Sequence, residues 1–261
     1  MKRILFAAAM ALVIVTPASA VVVTNSINAT TLATALTGSG VTISNAVLTT
    51  NTTDGNGTFT GGAGSIGFES GVLLTTGTTI CVPGPNSTSS CSGVGTSSSL
   101  KFDFTSITGS LFFQYVFGSE EYNEFVGSRF NDSFQLLLNG VNIALLPGGA
   151  GPVTINNVNC DSNASFYRNN TATAPAGCAN QGLDIQYDGL TTILTAGANL
   201  LAGTNTFEFL VQDIGDSDLD SGVFIKAGSF SGTNTAVPEP GSLVLMGLAL
   251  AGLAASRRKA A

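Results

Sequence analysis

Between Val41 and Ala227 the apolar side chains of this chain recur at every second position, in short runs separated by Gly, Asn, Ser and Thr. Alternate residues of an extended chain point to opposite faces, so a run with this period buries one face as a strand; winding it into a helix would scatter that face. Leu111, Phe113, Tyr115 and Phe117 make the strongest run, with Leu100, Phe102 and Phe104 before it and Phe134, Leu136 and Leu138 after it. Asn139-Gly140 then separates Leu138 from the run Val141–Leu146. Both residues accept a positive φ, so a tight hairpin is predicted there. Further strands are expected at Val41 and Ile43, at Val72–Thr76, from Ile185 and Tyr187, at Phe207–Val211 and at Val223–Ala227. One short helix is expected near Thr30–Thr37, where Leu32 and Leu36 lie one turn apart and Gly38 stops the helix. So many strands with so little helix predict an all-β chain: a β-sandwich of jelly-roll type with one short N-terminal helix.

The two ends differ from this body. Residues 1–20 begin with Lys2 and Arg3, continue through the apolar run Ile4–Val15, and end on Ala18-Ser19-Ala20. A positive start, a short apolar stretch and small residues two apart are the parts of a secretory signal peptide, with Ala18 and Ala20 marking the cleavage site. Residues 237–261 place Pro238-Glu239-Pro240 before the apolar stretch Leu243–Ala255 and the basic residues Arg257, Arg258 and Lys259. As a helix this stretch is short for a hydrocarbon core about 30 Å thick. It suits a transient stay in the membrane, its basic end on the cytoplasmic side and the body outside. Residues 21–236 remain as one large β domain.

This C-terminal pattern resembles the PEP-CTERM sorting signal of Gram-negative bacteria, carried by the Pro-Glu-Pro motif, the short apolar helix and the basic end. The resemblance implies processing by an exosortase at the C-terminus, beside the signal peptidase that residues 1–20 call for at the N-terminus. It also implies export to the cell surface with only transient inner-membrane anchoring, and an association with exopolysaccharide and biofilm systems. No Leu-Pro-x-Thr-Gly motif for a sortase is present.

Charge narrows the partners. Residues 21–236 hold four basic residues (Lys101, Arg129, Arg168 and Lys226) against fifteen acidic ones, a net charge of −11. Such a surface repels phosphate backbones, which argues against nucleic acid, and it attracts cations. The chain has no histidine, so Ser-His-Asp and Cys-His chemistry is excluded and a zinc site is disfavoured. The four cysteines, Cys81, Cys91, Cys160 and Cys178, are expected to form disulfides in an exported chain. Three pairings are possible, and proximity along the chain favours Cys81–Cys91 with Cys160–Cys178.

Two acidic segments stand at the ends of predicted strands. The first runs from Tyr115 to Phe134 and carries Glu120, Glu121, Glu124 and Asp132; the second, from Gln212 to Phe224, carries Asp213, Asp216, Asp218 and Asp220. Crowded carboxylates repel one another unless water or a cation intervenes. Ca²⁺ takes six to eight oxygen ligands and favours such loops, so Glu120, Glu121, Asp132, Asp213, Asp216 and Asp220 are candidate Ca²⁺ ligands. An EF-hand is excluded, because the sixth loop position is Ser221 and the twelfth is Ala227. The alternative is a set of solvated turns whose Asp side chains cap backbone amides.

These same segments resemble the choice-of-anchor L domain. The resemblance is carried by FQYVFGSEEYNEFV and FNDSF, by LDIQYDGLT, by DIGDSDLDSGVFIKAGSF, and by GSIGFESGVLLTTG further upstream. It implies a surface-displayed domain and brings no established activity. The function expected is an exported surface or matrix protein, Ca²⁺-binding and associated with exopolysaccharide or adhesion; the alternative is a structural coat without a specific ligand. No enzymatic role is expected. The remaining catalytic option is a glycosidase pairing Glu120 or Glu121 with Asp132 or Asp213, and Tyr115, Tyr122, Tyr167 and Tyr187 would be its sugar-stacking rings.

Overall fold

The computed structural model describes residues 20–87, 95–172 and 175–232. Ala18, Cys91, the sorting residues Pro238, Glu239, Pro240, Arg257 and Arg258, and the C-terminal apolar helix lie outside the described residues, while Ala20 is exposed at the start of them. Among the described residues no helix is long and apolar enough to cross a membrane.

The strands are β1 Val22–Asn25, β2 Val41–Thr50, β3 Asn56–Thr60, β4 Gly71–Thr75, β5 Ser97–Ser106, β6 Ser110–Ser119 and β7 Ser133–Leu138, followed by β8 Val141–Asn142, β9 Val153–Thr154, β10 Tyr167–Asn169, β11 Gly189–Thr191, β12 Leu194–Asn199, β13 Asn205–Gln212 and β14 Ser221–Lys226. They form two antiparallel sheets. One has eight strands in the order β1-β3-β4-β14-β6-β11-β10, with β12 also on β6; the other has six in the order β2-β5-β13-β7-β8, with β9 also on β7. Among the described residues there is one α-helix, α1 (Ala29–Leu36); it buries Leu32, Ala33 and Leu36, and the Asn28 side chain caps it by accepting the Thr31 N–H at 3.0 Å.

The alternating rings predicted from sequence make the sandwich core. Phe113 of β6 meets Phe207 and Phe209 of β13 edge-on across the gap at 5.4 and 5.7 Å, and Tyr115 packs on Phe134 of β7 at 4.9 Å. Burying each ring stabilises the fold by about 2–3 kcal/mol. Phe230, after the last strand, inserts its ring among Phe102, Phe104 and Phe207. Its neighbour Ser231 exchanges backbone hydrogen bonds with Phe112 at the start of β6, and Gly38 N–H donates to the Phe230 carbonyl.

The centre of the eight-stranded sheet, at β4, β14 and β6, is buried on both faces. Its outer face carries a second apolar cluster that includes Leu73, Val116 and Phe224, covered by Ile66, Phe68, Ile185, Tyr187 and Leu190 from loops and a short strand. This explains why β4 is buried at every position rather than at alternate ones. It also corrects the expectation of a strand starting at Ile185: Ile185 makes only an isolated bridge to Pro83, and β11 begins at Gly189. The Tyr187 ring instead lies over Gly118 and Gly222, where any added side chain would collide with it. The Asn139-Gly140 turn forms with positive φ at both residues, but the returning strand β8 spans only Val141–Asn142. Beyond it the chain follows a 3-10 turn rather than the sheet. Cys160 and Cys178 are joined with their Cα atoms 5.7 Å apart, and Cys81 is disulfide-bonded.

Candidate functional site

Strand register gathers the acids at one end of the sandwich. Ser221 of β14 faces Ser119 of β6, so Asp220 and Glu120 sit side by side just past that pair, and the Glu120 N–H donates to the Asp220 carbonyl at 3.0 Å. In the other sheet Gln212 of β13 faces Ser133 of β7, which sets Asp213 beside Asp132. Two strand ends from each sheet therefore converge. The chain leaves toward its C-terminal tail beside Phe112, at the opposite end of β6. Ser119 lies seven residues along that strand, roughly 23 Å away at about 3.3 Å per residue.

Five of the six candidate ligands are almost wholly buried: Glu120 is 4% exposed, Glu121 2%, Asp132 0%, Asp213 4% and Asp220 1%. Asp216 is half-buried and Asp218 exposed. Asp132 Oδ1 accepts the Ile214 N–H at 2.8 Å and its Oδ2 the Ser221 hydroxyl at 2.7 Å, which ties the loop after β13 to β14. Asp220 Oδ2 accepts the hydroxyls of Thr75 and Tyr187 at 2.9 and 3.0 Å. In contrast, both carboxylate oxygens of Asp213, Oε2 of Glu121, Oε1 of Glu120 and Oδ1 of Asp220 are buried without a hydrogen-bond partner.

No basic side chain among the described residues forms a salt bridge with these acids. Among the described residues the salt bridge is Lys101–Glu208, far along β5 and β13. Arg129 stacks on the Phe130 ring, Arg168 donates to the carbonyls of Thr191 and Ser65, and Lys226 donates to Gln114. Burial, reinforced by Asp132, Asp216, Glu121 and Asp218, pushes the Asp213 carboxyl up to about 8. Burial and then Asp132, Asp216, Asp218 and Glu124 push Glu121 up to about 8. Asp132 rises only to about 6 and Asp220 to about 7, because their hydrogen-bond donors offset part of the burial.

The candidates fall into two groups. Beyond burial, Glu121 and Asp213 are both raised by Asp132, Asp216 and Asp218, whereas Glu120 is pushed up to about 9 by burial and then by Asp220, Asp188 and Glu124. Adjacent residues of one loop thus serve different surroundings. Among the described residues no three acidic or cysteine side chains stand close enough together to hold a metal ion as placed. On the Glu120 side a cleft of about 570 Å³ opens between the segments 85–87, 170–172 and 180–188.

Sequence reasoning did not single out Asp188, which lines this cleft, or Asn86 and Asn170, which build it. Their signal is weak, because isolated Asn and Asp residues in a chain rich in turns look like turn formers. The four tyrosines offered as sugar-stacking rings are all buried, with Tyr115, Tyr122 and Tyr187 at 0% exposure, so they form no exposed platform.

Comparison with known proteins gives two matches. The family model for the choice-of-anchor L domain matches residues 92–231, more than half of the chain, and that for the PEP-CTERM protein-sorting motif matches residues 236–259. The first takes in β5–β14; the segment before it supplies α1 and β1–β4, which complete the same two sheets. No curated protein and no solved structure matches the chain.

Proposed function

The chain belongs to the choice-of-anchor L family, and on that premise we propose that it is a matrix or adhesion protein whose sandwich binds Ca²⁺ at its acidic end and associates there with extracellular polysaccharide. It is a sorted, exported surface protein, and its PEP-CTERM motif implies processing by an exosortase. The finer steps belong to the proposal. A signal peptidase cuts after Ala20, the tail holds the chain briefly in the inner membrane of a Gram-negative cell, and the exosortase then removes it. The function is non-catalytic; the two matched domains are of sorting and anchoring types.

One observation carries the Ca²⁺ reading: Asp213 is buried with neither oxygen partnered, beside Glu121 with its own orphaned oxygen, and among the described residues neither forms a salt bridge with a Lys or Arg. Unpaired buried charge costs several kcal/mol, and a cation is the usual remedy where no base is present. Glu121, Asp132, Asp213 and Asp216 supply oxygen ligands, Asp220 and Glu120 flank them, and loop carbonyls and water complete the six to eight that Ca²⁺ takes. The separate side chains close on the ion by rotamer changes in the loop 213–220. The site's distance from the tail suits display outward from the cell. Thermal unfolding in millimolar Ca²⁺ against chelator tests this. A site occupied at about 100 times its dissociation constant adds ~2.7 kcal/mol, a rise of several degrees that Asp213→Asn abolishes. An unchanged midpoint refutes it.

A second reading is a structural coat without a specific ligand. The raised carboxyls favour it, since Asp213 and Glu121, both pushed up to about 8, can be kept neutral at pH 7 by protons alone. The same melting experiment separates the two.

A further inference from the structure

We propose that the cleft on the Glu120 side binds saccharide units bearing a free amine. The inference deepens the polysaccharide part of the proposed function and does not need the Ca²⁺ site.

The walls of the cleft are built rather than incidental. Asn170, 2% exposed, donates through Nδ2 to the carbonyls of Ile185 and Tyr187 at 2.9 and 3.0 Å and accepts the Leu183 N–H at 2.6 Å. Asn86 donates to the Asn170 carbonyl at 2.9 Å and to Asp188 Oδ1 at 2.7 Å. The Gln181 N–H donates to the Asn169 carbonyl at 2.9 Å, and the Asn169 side chain donates to Cys178, itself joined to Cys160. Side-chain-to-backbone bonds and a disulfide thus fix three irregular segments, which matches the preorganised concavity of ligand sites.

The lining selects the ligand. Glu120, Glu124, Asp184 and Asp188 bring four carboxylates, and among the described residues the lining holds no Lys, no Arg and no aromatic ring. Glu120 lines the cleft, is 4% exposed and its Oε1 has no partner; a cation bound beside it would displace the proton that its raised carboxyl otherwise keeps. Without a ring to stack on, a neutral sugar gains little here, whereas an ammonium group gains a charge-assisted hydrogen bond. Pro85, Ala172 and Leu183 offer apolar surface to the C–H face of a sugar ring, and the volume of about 570 Å³ lies within the usual range for small-ligand sites. A ligand that is both cationic and polyhydroxylated satisfies all of these groups.

The test titrates the full chain calorimetrically, in chelator, with a glucosamine hexamer, with the fully N-acetylated hexamer as the uncharged control, and with hexalysine as the charged control without hydroxyls. The expected result is binding of the glucosamine hexamer at least tenfold tighter than of either control. Asp188→Asn and Asp184→Asn each weaken it about tenfold while keeping the wild-type melting midpoint. Absence of heat, equal affinity for the acetylated hexamer, hexalysine binding as tightly, or binding unchanged in both variants overturns the proposal. A Ca²⁺-induced melting shift that persists when the hexamer fails to bind leaves the cation reading standing and removes only the cleft. Hexamer binding without a Ca²⁺ shift does the reverse.

Discussion

Raising the pH from 5 to 8 in chelator should unfold this protein at markedly lower temperature, and Asp213 sets the scale. Its folded carboxyl is pushed up to about 8, first by burial and then by Asp132, Asp216, Glu121 and Asp218, from the ordinary 3.8. Between those two pH values the folded state holds a proton that the unfolded chain has released. Stability is therefore fully present below about pH 4 and is lost as the pH rises through 8, at about 1.4 kcal/mol per unit. From pH 5 to 8 this one group costs about 4 kcal/mol. Glu121, also pushed up to about 8, shares the same repulsion and adds less than its full amount. For a domain of this size about 1 kcal/mol moves Tm by about 2–4 °C, so Asp213 alone should lower the midpoint by roughly 10 °C, and Glu120, Asp132 and Asp220, whose carboxyls are also raised, lower it further. Calorimetry or circular dichroism across that pH range, with chelator and with millimolar Ca²⁺, measures it. Asp213→Asn should flatten the slope, since the amide does not titrate, and Ca²⁺ should flatten or invert it by replacing protons. A midpoint independent of pH in chelator, or a slope unchanged in Asp213→Asn, would refute the reasoning.

Three further outcomes are expected. Asp132→Ala leaves the Ile214 N–H and the Ser221 hydroxyl without their acceptor and should cost about 2–4 kcal/mol in urea unfolding, whereas Asp132→Asn should cost less. Replacing Cys160 and Cys178 together by Ser opens a loop spanning 18 residues of separation and should cost about 3 kcal/mol in the same assay, more than Ser substitutions at exposed sites. Phe207→Ala removes a fully buried ring that touches Phe102, Phe104, Phe113, Phe209 and Phe230, and should destabilise by about 3–5 kcal/mol with the unfolding m-value unchanged.

The strands of the six-stranded sheet were legible because one face is wet: β13 alternates buried and half-buried residues along its whole length, the pattern that period-two reasoning detects. The edge strand β1, the short β9 and β10, and β3 and β12 escaped it, since their pairing comes from neighbours in space rather than from their own composition. Ile185 and Tyr187 misled for a related reason. Their alternation is real, but it serves a loop that covers the outer face of the larger sheet. The acidic residues at the strand ends were visible as a cluster. Their division between Glu121 and Glu120 was not, because only the register of β6 with β14 and of β7 with β13 fixes which carboxylate faces which. Asp188 and Asn170 depend in the same way on contacts with Asn86, far away in sequence.

The seating of Phe230 also has a mechanical consequence. Any pull exerted through the C-terminal segment enters the domain at Ser231 and Phe230, whose backbone is stitched to Phe112, Leu36 and Gly38 and whose ring is plugged among Phe102, Phe104 and Phe207. The load cannot peel an exposed edge; it must first draw an aromatic ring out of the core and break hydrogen bonds on both sides of it. A domain held by this end and pulled from the acidic end would carry drag along β6, the strand that links the two. It would yield as a unit rather than fray from its tether.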